Sequence, residues 1–74
     1  MTLDELRNLV AGVLEVDVAS IGPSTVFAEI ESFDSVTRLG LIMALDENGV
    51  AIAMGSVGDL KGFADVMRYA GIST

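Results

Sequence analysis

Two short stretches carry side chains of types that can do chemistry: Asp34-Ser35, and LDENG, Leu45 to Gly49, which contains Asp46-Glu47. A nucleophilic serine needs a base within hydrogen-bonding reach. The chain has no histidine, and neither its lysine nor its arginines form a recognisable Ser/Lys motif with Ser35. Asp46 and Glu47 are neighbours in sequence and diverge on a helix instead of converging on a substrate. LDENG has the composition of a calcium loop without the ligand spacing. Cysteine is absent, which excludes disulfides and thiolate metal sites, and no glycine-rich phosphate loop occurs. Catalysis by this chain alone and metal binding are therefore not expected. If Ser35 has a chemical role, it is as a place of attachment. A helix N-terminus suits that role, because its free N–H groups and dipole favour an appended phosphate. The plainer reading is that Ser35 caps the helix.

The elements that must position this serine are legible. Thr2 and Glu5 have capping-box spacing, and Leu3, Leu6, Leu9, Val10, Val13 and Leu14 follow at helical intervals. They predict a first helix from about Leu3 to Glu15. The middle helix runs from about Ser35 to Asn48 and is stopped by Gly49. On its wheel Val36, Leu39 and Met43 form one stripe, Leu41 and Leu45 fall nearly opposite, and Ile42 lies between. Such a helix is either central to the fold or presents one apolar stripe to visitors; on the residues alone both readings stand. At the far end, Ser56 and Asp59 read as a cap and its third-position acid. Val57, Leu60, Phe63, Ala64 and Met67 then share a face and Gly71 is placed to stop it, predicting a last helix from about Val57 to Ala70. Gly12, Gly40, Gly58 and Gly62 would all be helix-interior glycines, each costing up to ~1 kcal/mol relative to alanine. Between the first two helices, Gly22-Pro23-Ser24 marks a turn. The long connection also carries Val18, Ile21, Val26, Phe27, Ile30 and Phe33, so it is expected to pack down, with a helical turn over Thr25–Ile30.

Seventy-four residues form one small domain, 1–74, near the lower end of what folds without staples. No apolar run approaches the ~18 residues that span a bilayer, and the acidic start MTLDELRNLV is not a secretory signal. A soluble cytoplasmic monomer is the expectation. Eleven acids against four bases give a net charge of −7, which disfavours nucleic acid, since phosphate binding needs Lys and Arg. The acidic run from Glu15 through Asp17, Glu29 and Glu31 to Asp34 is either a solvated face or a footprint for basic partners.

FDSVTRLGLIMAL resembles the Asp-Ser-Leu attachment motif and second helix of acyl carrier proteins. VFAEIESFDSV is similar to that family's approach to the motif, GVAI to the segment after the second helix, and SVGDL to the start of the last helix. The resemblance implies an all-α bundle of three main helices and 4′-phosphopantetheine on Ser35, with Asp34 as its acidic neighbour. It implies a carrier of thioester-bound acyl groups, not an enzyme. Val36, Leu39 and Met43 would then face partners: a phosphopantetheinyl transferase and acyl-loading and acyl-processing enzymes. Leu41, Ala44 and Leu45 would face the interior. The chain departs from the pattern in places. Arg38 and Gly40 stand where carriers of fatty-acid synthesis usually have acids or other polar residues, and LDENGVAI lacks the usual aromatic before its glycine. Only Ala53, Met54 and Gly55 separate Ile52 from Ser56, so the family's short third helix is expected to be shortened or missing. These departures speak against service in housekeeping fatty-acid synthesis and leave room for a carrier of a specialised lipid or polyketide pathway or for a degenerate one. A peptidyl or aminoacyl carrier, or an unmodified helical interaction domain with Ser35 as a plain cap, are the alternative expectations.

Overall fold

The computed structural model describes residues 1–31, 33–52 and 60–72. Its architecture is a small all-α bundle of three helices: α1 (Leu3–Leu14), α2 (Ser35–Glu47) and α3 (Phe63–Ala70). Two 3₁₀ turns, Val18–Ser20 and Phe27–Glu29, interrupt the connection between α1 and α2. The expected turn over Thr25–Ile30 is thus present in shorter form.

α1 begins where its capping box closes. The Thr2 hydroxyl accepts from the Glu5 amide at 3.2 Å, and the Glu5 carboxylate accepts from the Thr2 amide at 2.8 Å. Leu6, Val10 and Leu14 recur at helical spacing and are fully or almost fully buried. The helix ends with Glu15 in the left-handed region at φ 58°. α2 ends at Glu47, one residue short of expectation. Asn48 is its C-cap, and Gly49 turns the chain at φ 87°, where a side chain would be strained.

The core gathers Leu6, Val10 and Leu14 from α1, Leu41, Ile42 and Leu45 from α2, and Phe63, Val66 and Met67 from α3. Ile21 and Phe27 enter it from the long connection, with Ile30 and Phe33 packed against its edge. That connection does pack down, although Val18 and Val26 stay exposed. Arg7 on α1 holds it in place: its Nε donates to the Ile21 carbonyl at 2.8 Å and a terminal nitrogen donates to the Val18 carbonyl at 3.0 Å.

The last helix departs from expectation. α3 starts at Phe63, not at Val57; residues 57–59, with the cap expected at Ser56 and the shortened third helix expected near it, lie outside the described residues. The apolar spacing runs on through Leu60, but the backbone at Gly62 is extended (φ −156°, ψ 175°) because a distant segment claims it. Val26 and Gly62 form an antiparallel bridge. The Phe27 amide donates to the Lys61 carbonyl at 2.9 Å, and the Phe63 amide donates to the Thr25 carbonyl at 3.1 Å. A Cβ at residue 62 would lie 2.5 Å from the Thr25 carbonyl oxygen, so glycine alone permits this approach. Gly62 is therefore not an interior helix glycine, and Gly58 lies outside the described residues. Asp65 caps α3, accepting from the amides of Lys61 and Gly62 at 3.0 and 3.1 Å; Asp59, the acid expected in that role, lies outside the described residues.

Candidate functional site

The site forms where the connection meets α2. Phe33 is half-buried and stacks on fully buried Phe27, with ring centroids 5.4 Å apart and planes inclined by 27°. Its amide donates to the Ile30 carbonyl at 3.0 Å. This anchor fixes the approach to Asp34, whose backbone is extended (φ −133°, ψ −174°).

Asp34, not Ser35, is the N-cap. Its Oδ1 accepts from the Thr37 amide at 2.8 Å, and its carbonyl accepts from the Arg38 amide at 2.9 Å to begin the helix. The reading of Ser35 as a cap is thereby corrected. Aspartate and serine are comparably good caps, and the aspartate reaches the position one residue earlier. Hydrogen bonding by the Thr37 amide to the charged carboxylate holds the Asp34 carboxyl below the ordinary aspartate range. Ser35 is left as the first residue of α2, solvent-exposed. Among the described residues no hydrogen bond engages its side chain.

Val36, Leu39 and Met43 lie along one stripe running away from Ser35 and are 80%, 51% and 56% exposed. Leu41 and Leu45, on the other side, are fully buried, Ile42 is buried with them, and Ala44 is half-buried. α2 is therefore not enclosed: one apolar face meets the core and the other meets solvent. Exposed apolar side chains contiguous at helical spacing mark interaction surfaces more often than isolated ones do.

Arg38 stands one turn beyond Ser35; its guanidinium carbon lies 5.4 Å from the centre of the half-buried Phe33 ring. This contact escaped the sequence because Phe33 precedes the helix, and no helical wheel pairs it with Arg38. No group of His, Cys, Asp or Glu among the described residues is arranged to hold a metal ion, and none of their helices is long and apolar enough to cross a membrane.

Comparison with known proteins places the chain in a family. The family model for the phosphopantetheine attachment site matches residues 4–70. An acyl carrier protein of Thermosynechococcus vestitus is 37% identical over 68 residues, covering 90% of this chain and 84% of the relative.

Proposed function

Because the chain belongs to the phosphopantetheine attachment family of carrier domains, we propose that it is an acyl carrier whose arm is attached at Ser35. The observation that carries this reading is the division of labour at the head of α2: Asp34 takes the capping hydrogen bond, which leaves the Ser35 hydroxyl exposed and, among the described residues, unengaged. The residues present fit a phosphopantetheine group. Ser35 offers an accessible oxygen, and the start of α2 places positive partial charge next to a phosphate bound there.

When bound, the group supplies a thiol that holds acyl cargo as a thioester. The chain's own part is to tether and present. Tethering converts encounters between cargo and enzyme into local ones at high effective concentration. Val36, Leu39 and Met43 form the surface on which a phosphopantetheinyl transferase and the loading and processing enzymes dock. The surrounding acidic residues steer partners with basic faces. Service in a specialised lipid or polyketide pathway follows from the departures at Arg38, Gly40 and the short 53–55 segment.

Coexpression with a broad-specificity phosphopantetheinyl transferase, followed by intact-mass measurement, tests the reading. The chain gains the mass of one phosphopantetheine and Ser35→Ala gains none. A wild-type chain that remains unmodified, or an alanine variant that is modified, overturns the assignment.

A further inference from the structure

The chain has four bases against eleven acids, and the fold divides those bases into two kinds. Arg7 lies 3.7 Å from Asp4 and binds two backbone carbonyls, while Arg68 pairs with Asp65. Arg38 and Lys61 have no carboxylate partner among the described residues. Both line the same cavity, a hollow of ≈ 320 Å³ whose other described walls are Val26, Phe27, Ala28, Phe33 and Leu60. In a chain so rich in acids, two cations at one apolar hollow with no carboxylate partner among the described residues call for an explanation.

Arg38 makes the case sharper. Its Nε is buried without a hydrogen-bond partner among the described residues, an arrangement that leaves a desolvation cost uncompensated. The stack on Phe33 offsets part of this cost, but a ring face accepts no hydrogen bond along the Nε–H direction as a carboxylate does. Guanidinium binds carboxylate in a planar, often bidentate geometry. An apolar hollow at the small end of ligand-pocket sizes, with two basic residues in its wall, suits a short molecule with an apolar body and an anionic end. A bare phosphate would use the cations and leave the apolar walls unfilled. Arg38 follows Ser35 by three residues, so the two are neighbours on the helix surface, about 5–6 Å apart at Cβ.

We propose that this cavity receives an acyl cargo ending in a carboxylate, with Arg38 and Lys61 taking the carboxylate and Val26, Phe27, Phe33 and Leu60 covering the chain. In its tethered form the proposal rests on attachment at Ser35; the cavity's preference for the carboxylate does not.

The test compares cargoes of equal length that differ only at the far end. Hexanoyl and adipoyl groups are loaded from their coenzyme A thioesters, loading is confirmed by intact mass, and the holo form is measured alongside. A cavity that favours the carboxylate about tenfold gives the adipoyl form about 1.4 kcal/mol more stability, read as a melting temperature several degrees above the hexanoyl form. The Arg38 Nε–H resonance shifts with adipoyl only. Lys61→Gln, at an exposed position, narrows the melting gap, and Arg38→Gln with Lys61→Gln closes it. Equal melting of the two loaded forms, a gap that survives in the double variant, or a holo form that already shows the full resonance shift overturns the proposal. If mass shows that Ser35 takes no arm, the attachment reading fails, and the cavity is decided on the unmodified chain by titration with adipoyl- and hexanoyl-pantetheine. An approximately tenfold preference for adipoyl, with shifts at Arg38 and Lys61, then supports it; equal binding overturns it.

Discussion

Asp34 and Ser35 are adjacent and chemically similar as caps, yet the fold assigns them separate tasks. The extended backbone at residue 34 points its carboxylate at the Thr37 amide, so Ser35 is not needed to start the helix. Ser35→Ala is accordingly expected to melt close to the parent while accepting no arm. Asp34→Ala is expected to lower the melting temperature by several degrees, as loss of an N-cap does. Asp34→Asn should retain most of that stability, because the amide oxygen still accepts from Thr37. Thermal melts followed by circular dichroism separate the three. The pH dependence follows from the same bond. The Thr37 amide favours the charged carboxylate, so the Asp34 carboxyl titrates lower in the folded chain than in the unfolded one. Its contribution is present above the unfolded value, near pH 4, and is lost as pH falls through the lower folded value. The Glu5 carboxyl, bound by the Thr2 amide, shifts in the same direction and behaves alike. Between pH 6 and pH 3 the parent should therefore lose more stability than Asp34→Asn or Glu5→Gln, which lack the titrating group. Equal losses would show that these caps do not carry the acid sensitivity.

The helices succeed or fail as units according to what they face. Leu41 and Leu45 are fully buried, so Leu41→Ala or Leu45→Ala should destabilise by ~2–5 kcal/mol. Val36→Asp and Met43→Glu change exposed positions and should leave melting nearly unchanged while impairing modification of Ser35 or loading of cargo. Parallel melting and mass measurements on the four variants read both effects. The glycines give a second contrast. Gly62→Ala places a methyl group 2.5 Å from a backbone oxygen, and the bridge must open; a loss of about 1–3 kcal/mol is expected. Gly40→Ala, within α2 with nothing inside 4 Å of the added Cβ, should instead gain about 0.5–1 kcal/mol from helix propensity. Chemical denaturation gives both values. A neutral Gly62→Ala would mean that the bridge does not hold the start of α3.

The whole molecule, 25 × 25 × 19 Å in extent, carries a net charge of −7 on a small body. Self-repulsion of that order lowers the stability of a compact state, and a domain of this size has little to spare. Raising monovalent salt, or adding millimolar magnesium, is expected to raise the melting temperature by screening the acids. Arg7 works against that repulsion locally, tying the acidic connection to α1 through two carbonyls 14 and 11 residues away. If melting proves independent of ionic strength, the net charge is not a stability determinant.

Local interactions made much of this protein legible from its sequence. Capping residues and apolar spacing act within a turn or two of the chain, so α1 and α2 could be bounded to within a residue, and the same periodicity showed two apolar stripes on α2 without deciding whether one of them is exposed. Asp34-Ser35, with the helix behind it, was enough to suggest a place of attachment. Tertiary structure decided what depended on distant partners. The start of α3 moved to Phe63 because a bridge from Val26 overrides a helical apolar pattern, and no spacing rule registers a carbonyl that approaches from thirty-odd residues away. The choice between Asp34 and Ser35 as cap depended on the path of the connection, which the Phe27–Phe33 stack fixes. Arg38 stood out in sequence only as a departure from the family's usual acid, and it became a cavity wall only when Phe33, Leu60 and Lys61 were brought to it. Side-chain periodicity marks the apolar faces of a helix; which of them is buried, and against what, is set by long-range packing.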